Sequence, residues 1–344
     1  MITRSLRALT VCAGACAALL FGGGAASAQS YAQFNVPLPM ITRGVIPLVQ
    51  GKMGGIAVDL KSGRQYFAAL RNGTLEVLDA SGLKVVQTIR DLNEPTTPVF
   101  VQDPRMLLLT CGDGKLIVYG ADAAGELKQD RVVELGGEAR QVRFSEGEKR
   151  AWVTHARAVT AVDPVTGTKG KSIEFGASTE GIALEVAGNR AFVNIPSKGQ
   201  VAVIDREKNE VVATWDLKDV KGNYQLALDE VSKRLFVSCR NPAKLLVLDT
   251  TDGKEIARLP IGEDADSTWY DAPGKRIYVS CGGGAGEVTM ILQESADKYK
   301  VEHNVQTNTG ARTSVLVSQK RRFIVAAPSL GDSPTFVYIY IIPP

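Results

Sequence analysis

One pattern returns seven times along this chain of 344 residues, at intervals in the low forties. A basic residue opens a short apolar strand that often carries an aromatic ring. The copies are Arg64-Gln-Tyr-Phe-Ala, Arg105-Met-Leu-Leu-Leu, Arg150-Ala-Trp-Val-Thr, Arg190-Ala-Phe-Val-Asn, Arg234-Leu-Phe-Val-Ser, Arg276-Ile-Tyr-Val-Ser and Arg322-Phe-Ile-Val-Ala. The arginines lie 41, 45, 40, 44, 42 and 46 residues apart. A unit repeated so regularly must bury its apolar faces against copies of itself, by stacking in a line or by closing into a ring.

Inside each unit hydrophobicity alternates with a period of two, so the pieces read as strands. The fourth unit runs Gly181-Ile-Ala-Leu-Glu, then Arg190-Ala-Phe-Val, then Gln200-Val-Ala-Val-Ile-Asp205, then Val211-Val-Ala-Thr-Trp215, which is a four-stranded antiparallel meander. No amphipathic segment is long enough to be a crossover helix, which excludes a parallel α/β sheet. Third strands end in Asp79, Asp163, Asp205 and Asp249, followed three or four residues later by Gly82, Gly167, Asn209 and Gly253. The carboxylate can accept turn amide hydrogens while Gly or Asn takes the left-handed position. Radial closure hides the edges of such sheets. The seventh unit supplies three strands, ending at Phe336-Val-Tyr-Ile-Tyr-Ile-Ile342, and Ile41 to Val49 precedes the first unit as an unused strand. The expectation is all-β: a seven-bladed β-propeller of four-stranded antiparallel blades, its last blade completed by the N-terminal strand. Length alone, at roughly 150 residues per domain, suggests two domains; the repeat assigns 29–344 to one.

Gly188 to Trp215 and Arg234 to Gly262, with Leu-Leu-Val-Leu-Asp-Thr and Gly-Lys-Glu-Ile-Ala in the latter, resemble YVTN-type repeats. The likeness covers essentially the whole chain after residue 28, and the chain is similar to exported bacterial propellers of the YncE-like kind. The resemblance implies a periplasmic propeller with no established reaction, and single-stranded nucleic acid as the ligand proposed for some relatives. The one Trp-Asp pair, Trp215-Asp216, does not recur, unlike the signature of WD-repeat propellers.

Residues 1–28 read as a secretory signal: Arg4 and Arg7, an apolar run from Ala8 to Phe21, and a small-residue cleavage site at Ala26-Ser27-Ala28. Cleavage near Ala28 removes two arginines and lowers the net charge from +3 to +1, so bulk electrostatics gives no reason to expect a polyanionic partner. It leaves Cys111, Cys239 and Cys281, an odd number for an oxidising compartment, allowing one disulfide at most. Cys239 and Cys281 occupy equivalent places in adjacent units and read as packed small residues. The expected location is periplasmic or secreted, and the expected state is a monomer without membrane insertion.

Chemistry in a propeller gathers at the mouth of the central channel. Counting ten residues back from each repeat arginine gives Gly54, Pro95, Arg140, Glu180, Tyr224, Asp266 and Arg312, with Glu94, Glu138, His155, Asn223 and Asp264 nearby. Arg140, Glu180, Tyr224, Asp266, Arg312, Glu94, Asn223 and Asp264 are the candidate ligand-binding residues, for a small molecule or protein held by mixed charges. Glu94, Glu180, Asn223 and Asp266 are also the candidate ligands for a divalent cation, which would suit a lactonase-like hydrolase. Such a hydrolase and a quinone-dependent enzyme are the catalytic alternatives to a binding protein or scaffold. With two histidines, no HExxH, GxSxG or CxxC, and Gly282-Gly-Gly-Ala-Gly286 between strands, no further catalytic motif is present. On the opposite face Asp59, Glu185, Asp229 and Asp271 lie five residues before their repeat arginines, and each is expected to neutralise its own.

Overall fold

The computed structural model describes residues 38–47, 49–331 and 333–344. The signal segment expected over 1–28 lies outside the described residues. The described residues form 28 strands, numbered β1 to β28 in chain order, in seven sheets of four antiparallel strands each. The innermost strands are β2 (Ile56–Val58), β6 (Pro95–Gln102), β10 (Ala139–Ser145), β14 (Ile182–Leu184), β18 (Lys221–Asp229), β22 (Ala265–Asp271) and β26 (Thr313–Val317). Each packs on the next, and β26 packs on β2, so the blades form a closed ring. The all-β, seven-bladed expectation is met.

The last blade has the order β1–β28–β27–β26, where β1 is Met40–Ile46, β27 is Arg322–Ala327 and β28 is Thr335–Ile341. Arg43 faces Tyr338 and Val45 faces Phe336 across that pair. The Thr335 hydroxyl donates to the Val49 carbonyl at 3.0 Å and the Thr313 hydroxyl to that of Met53 at 3.2 Å, which ties the lead-in segment to the seam.

The aromatic positions of the repeat explain how blades adhere. Tyr66, Trp152, Phe192, Phe236 and Tyr278, each two residues after its arginine, are buried. Three of them meet a ring of the following blade: Tyr66 with Phe100 at 5.3 Å, Phe236 with Tyr270 at 5.2 Å and Tyr278 with Phe323 at 5.2 Å. Each buried ring contributes about 1.5–3 kcal/mol by area removed from water, so the aromatic repeat is also the interblade cement. The turns follow their residues as expected. Asp163 accepts from the amides of Val165 and Thr166, and Asp249 from that of Thr251, and these backbone hydrogen bonds hold both carboxyls below their ordinary range. Asn209 takes φ 56° where other units place Gly.

The arginine pairing departs from expectation in three of four cases. Arg190 binds Glu185 at 2.5 Å as foreseen. Asp59 instead receives Arg105 of the next blade at 2.6 and 3.1 Å. Its burial would raise its pKa, but Arg105, Ser62 and the Lys61 amide outweigh that and hold it low. Asp229 and Asp271 turn inward and accept from Ser232 and Gly274 amides within their own hairpins. Arg234 therefore pairs with Asp249 and Asp297, and Arg276 with Glu302. In the Asp229 and Asp271 hairpins the turn amides reach the acid before the arginine five residues on does, and that competition escapes a count along the sequence.

Candidate functional site at the channel mouth

Four inner strands carry a bulge at the same level: between Pro95 and Pro98, Ala139 and Val142, Asn223 and Gln225, and Ala265 and Thr268. A bulge breaks the strict alternation of a strand and re-aims a side chain. The residue it turns out is Arg140 in the third blade, Tyr224 in the fifth and Asp266 in the sixth, and all three line a central cavity of about 680 Å³. In the second blade the equivalent residue is Thr96, not the expected Pro95. The turn into the following strand joins Gln102 directly opposite Arg105, so this arginine enters one residue early and Cys111 stands six after it, where His155 stands five after Arg150. Thr96 donates to the carbonyls of Ala139 and Arg140, stitching the second blade to the third around the rim.

Glycine makes the close approach of blades feasible. A Cβ on Gly181 would lie 2.4 Å from the Tyr224 carbonyl oxygen, which accepts the Gly181 amide hydrogen at 2.8 Å. Gly54 is equally confined, since a Cβ added there would collide with the Thr96 carbonyl oxygen.

Six of the eight candidate residues, Glu94, Arg140, Glu180, Tyr224, Asp266 and Arg312, share this cavity. Asp264 stands behind the lining and bridges Arg240, at 3.3 Å, to Arg312. Asn223 lies off the cavity: it is fully buried, and its amide donates to Asn194 at 2.7 Å and to the Gln200 carbonyl at 2.8 Å. His155 is also buried, 2.7 Å from Thr160 through Nε2, and burial pushes its pKa down. Among the described residues no three His, Cys, Asp or Glu side chains gather as a metal-ligand set, and Glu94, Glu180, Asn223 and Asp266 do not converge as one. The three cysteines are buried and free, their thiols pushed up to about 12 by burial. None of the described helices is long and apolar enough to cross a membrane.

The mouth is a chain of opposite charges, tight between Arg140 and Glu138 and between Arg312 and Asp264, and loose at Glu180 and Asp266. Arg140 meets Glu138 at 2.8 Å and Glu180 at 3.7 Å, while Asp266 lies 3.4 Å from Arg312 and 3.9 Å from Arg240. Burial raises the pKa of Glu180 to about 7, the nearby charges of Asp266 and Glu138 add to that, and Arg140 opposes it. Burial also raises that of Asp266 against the pull of Arg240 and Arg312. Both carboxyls are thus easier to protonate than they would be in open solvent.

Arg240 is the principal residue the sequence count missed. It donates through Nε to the Ala265 carbonyl at 2.8 Å and stacks 4.0 Å over the Tyr224 ring. Counting forward six from Arg234 finds it, on the loop side of the strand that the backward count ignores.

Comparison with known proteins adds the fold and nothing finer. A chain of Kuenenia stuttgartiensis hydrazine synthase superposes with a TM-score of 0.70 at 16% identity, covering 83% of this chain and 96% of that one. A chain from a crystal structure of the mitotic checkpoint complex superposes with a TM-score of 0.75 at 11% identity, covering 95% and 99%. No family model matches the sequence, and no curated protein matches it. The seven-bladed propeller is thus the level at which likeness is shown.

Proposed function

We propose that this chain is an exported, non-enzymatic propeller that binds a small polar ligand at the mouth of its channel, and that its repeat places it near the YncE-like exported propellers. The observation that carries the reading is the charge network drawn from separate blades: Arg140, Glu180, Arg240, Asp266 and Arg312 meet on one rim with ion-pair distances of 3.4 to 3.9 Å across it. Pairs at that separation surrender little when a ligand inserts between them, so a molecule bearing one or both signs can replace them group by group. The test is a thermal-shift screen of amino acids, dicarboxylates and amines, with each stabilising compound titrated by calorimetry. Glu180→Ala and Arg312→Ala are expected to abolish binding with the fold intact, and Arg190→Ala and Arg276→Ala to leave it unchanged. Loss confined to the Arg190 and Arg276 variants, with a steep salt dependence, would overturn the reading in favour of a polyanion on the opposite face.

A further inference from the structure

Three residues beyond the bulged position, about 10 Å deeper by the rise of a strand, the seven blades present a second level of the channel. Cα pairing fixes its members: Arg143 opposes Trp152 just as Trp269 opposes Tyr278, each partner standing two after its repeat arginine. By the same register the other blades place Ala57, Val99, Ala183, Ala227 and Val315 there. The level is therefore aliphatic and aromatic with a single cation, and it contains no acid. Arg143, Thr268 and Trp269 line both the mouth cavity of about 680 Å³ and a second cavity of about 320 Å³ toward the other end, so they form the waist between the two.

Arg143 enters no ion pair among the described residues. Its Nη1 donates to the Val142 carbonyl at 3.1 Å and weakly to Gln141 at 3.4 Å, and its guanidinium lies 5.9 Å from the centre of the Trp269 ring. Every other mouth arginine described above holds a carboxylate. Burial without that counter-charge pulls the Arg143 pKa down to about 10. A guanidinium carries five donors in a planar fork matched to a carboxylate, and an unpaired charge at an apolar waist is costly until such a group arrives.

We propose that Arg143 receives the carboxylate of a small organic acid whose apolar body lies against Trp269 and the ring of Ala and Val side chains. A bare inorganic anion would gain nothing from that ring, and a polyanion would find one cation only. A cavity of about 680 Å³ falls in the range that encloses a small organic ligand. The inference rests on the channel-binding reading above and adds the chemical class and the deep contact.

The probe is phenylacetate, with phenylacetamide as its neutral counterpart, titrated into the full chain by calorimetry and by tryptophan fluorescence. Phenylacetate is expected to bind saturably and the amide at least about tenfold more weakly. Arg143→Met is expected to weaken phenylacetate by at least about tenfold while its melting temperature stays level or rises, since a half-buried unpaired charge is removed. Equal affinity for acid and amide, unchanged affinity in Arg143→Met, or no saturable binding of phenylacetate below about 10 mM would overturn the proposal. The amide comparison needs no variant and stands even where Arg143→Met misfolds. Polar compounds from the screen that require Glu180 and Arg312 but ignore Arg143 would sink this inference and leave the mouth reading in place. Phenylacetate binding that needs Arg143 but survives Glu180→Ala and Arg312→Ala does the reverse.

Discussion

The two ends of the blades hold their charges to different effect. On the face of the repeat arginines, Arg105, Arg190, Arg234 and Arg276 each hold a carboxylate at 2.5 to 2.8 Å, and several also cap carbonyls. At the channel mouth, Glu180 and Asp266 stand 3.4 to 3.9 Å from their arginines, and burial leaves them reluctant to ionise. The same repeat thus locks its charges at one end and leaves two carboxylates, Glu180 and Asp266, loosely held at the other. An arginine of conspicuous periodicity is evidence about architecture, whereas an irregular position such as Arg140 or Arg143 is where a repeat protein departs from its own rule.

Substitutions can break that contrast. The largest effect is expected at Arg206, whose nearly buried side chain joins Glu148 at 2.7 Å to the carbonyls of Glu185 and Gly188. Arg206→Ala leaves the Glu185 and Gly188 carbonyls without their donor and should cost about 3–5 kcal/mol in urea unfolding without touching ligand binding. Arg105→Ala leaves the fully buried Asp59 without its guanidinium, for an expected loss of about 2–3 kcal/mol in the same assay. At the mouth the sign reverses with pH. The Glu180 carboxyl has its folded pKa raised to about 7, so its contribution to stability is full below the ordinary value of 4.5 and is lost as pH rises through 7. Glu180→Gln should therefore match the parent melting temperature at pH 5 and exceed it by a few degrees at pH 8. Identical curves at both pH values would mean that the mouth is as relaxed as open solvent. The smallest effect is expected for Arg276→Ala, about 1 kcal/mol of stability and no change in any ligand titration.

The fold was legible because the arginine recurs in all seven units, the buried aromatic two residues after it in five and the Asp turn in four, and so many copies average out local ambiguity. Most of the rim was legible for the same reason, since counting back ten reached Arg140, Glu180, Tyr224, Asp266 and Arg312. What failed was whatever depends on one residue of slippage or on the neighbouring blade. The bulge and the early entry of Arg105 moved the second-blade position from Pro95 to Thr96. Asn223 fell on the buried side of the same irregularity. Asp59 chose an arginine 46 residues away over one five residues away. The apolar waist around Arg143 was invisible for a further reason: its members are ordinary strand residues until seven units are laid side by side.

The pairing of β1 with β28 bears on how the ring comes into being. Met40 finds its partner in Tyr340, 300 residues later (340 minus 40), so an early strand waits for the last one before its amides are satisfied. Bringing ends together over that span costs about 5 kcal/mol of chain entropy beyond a constant, a slow non-local step that cannot begin while the C-terminal strand is still unmade. Six blades can assemble by zippering from neighbour to neighbour; the seventh acts as a latch. Joining the two strands' ends by a short linker and reopening the chain at the exposed turn around Thr251 to Gly253 would convert the latch into an ordinary hairpin, and the rearranged protein should close its ring faster than the native one.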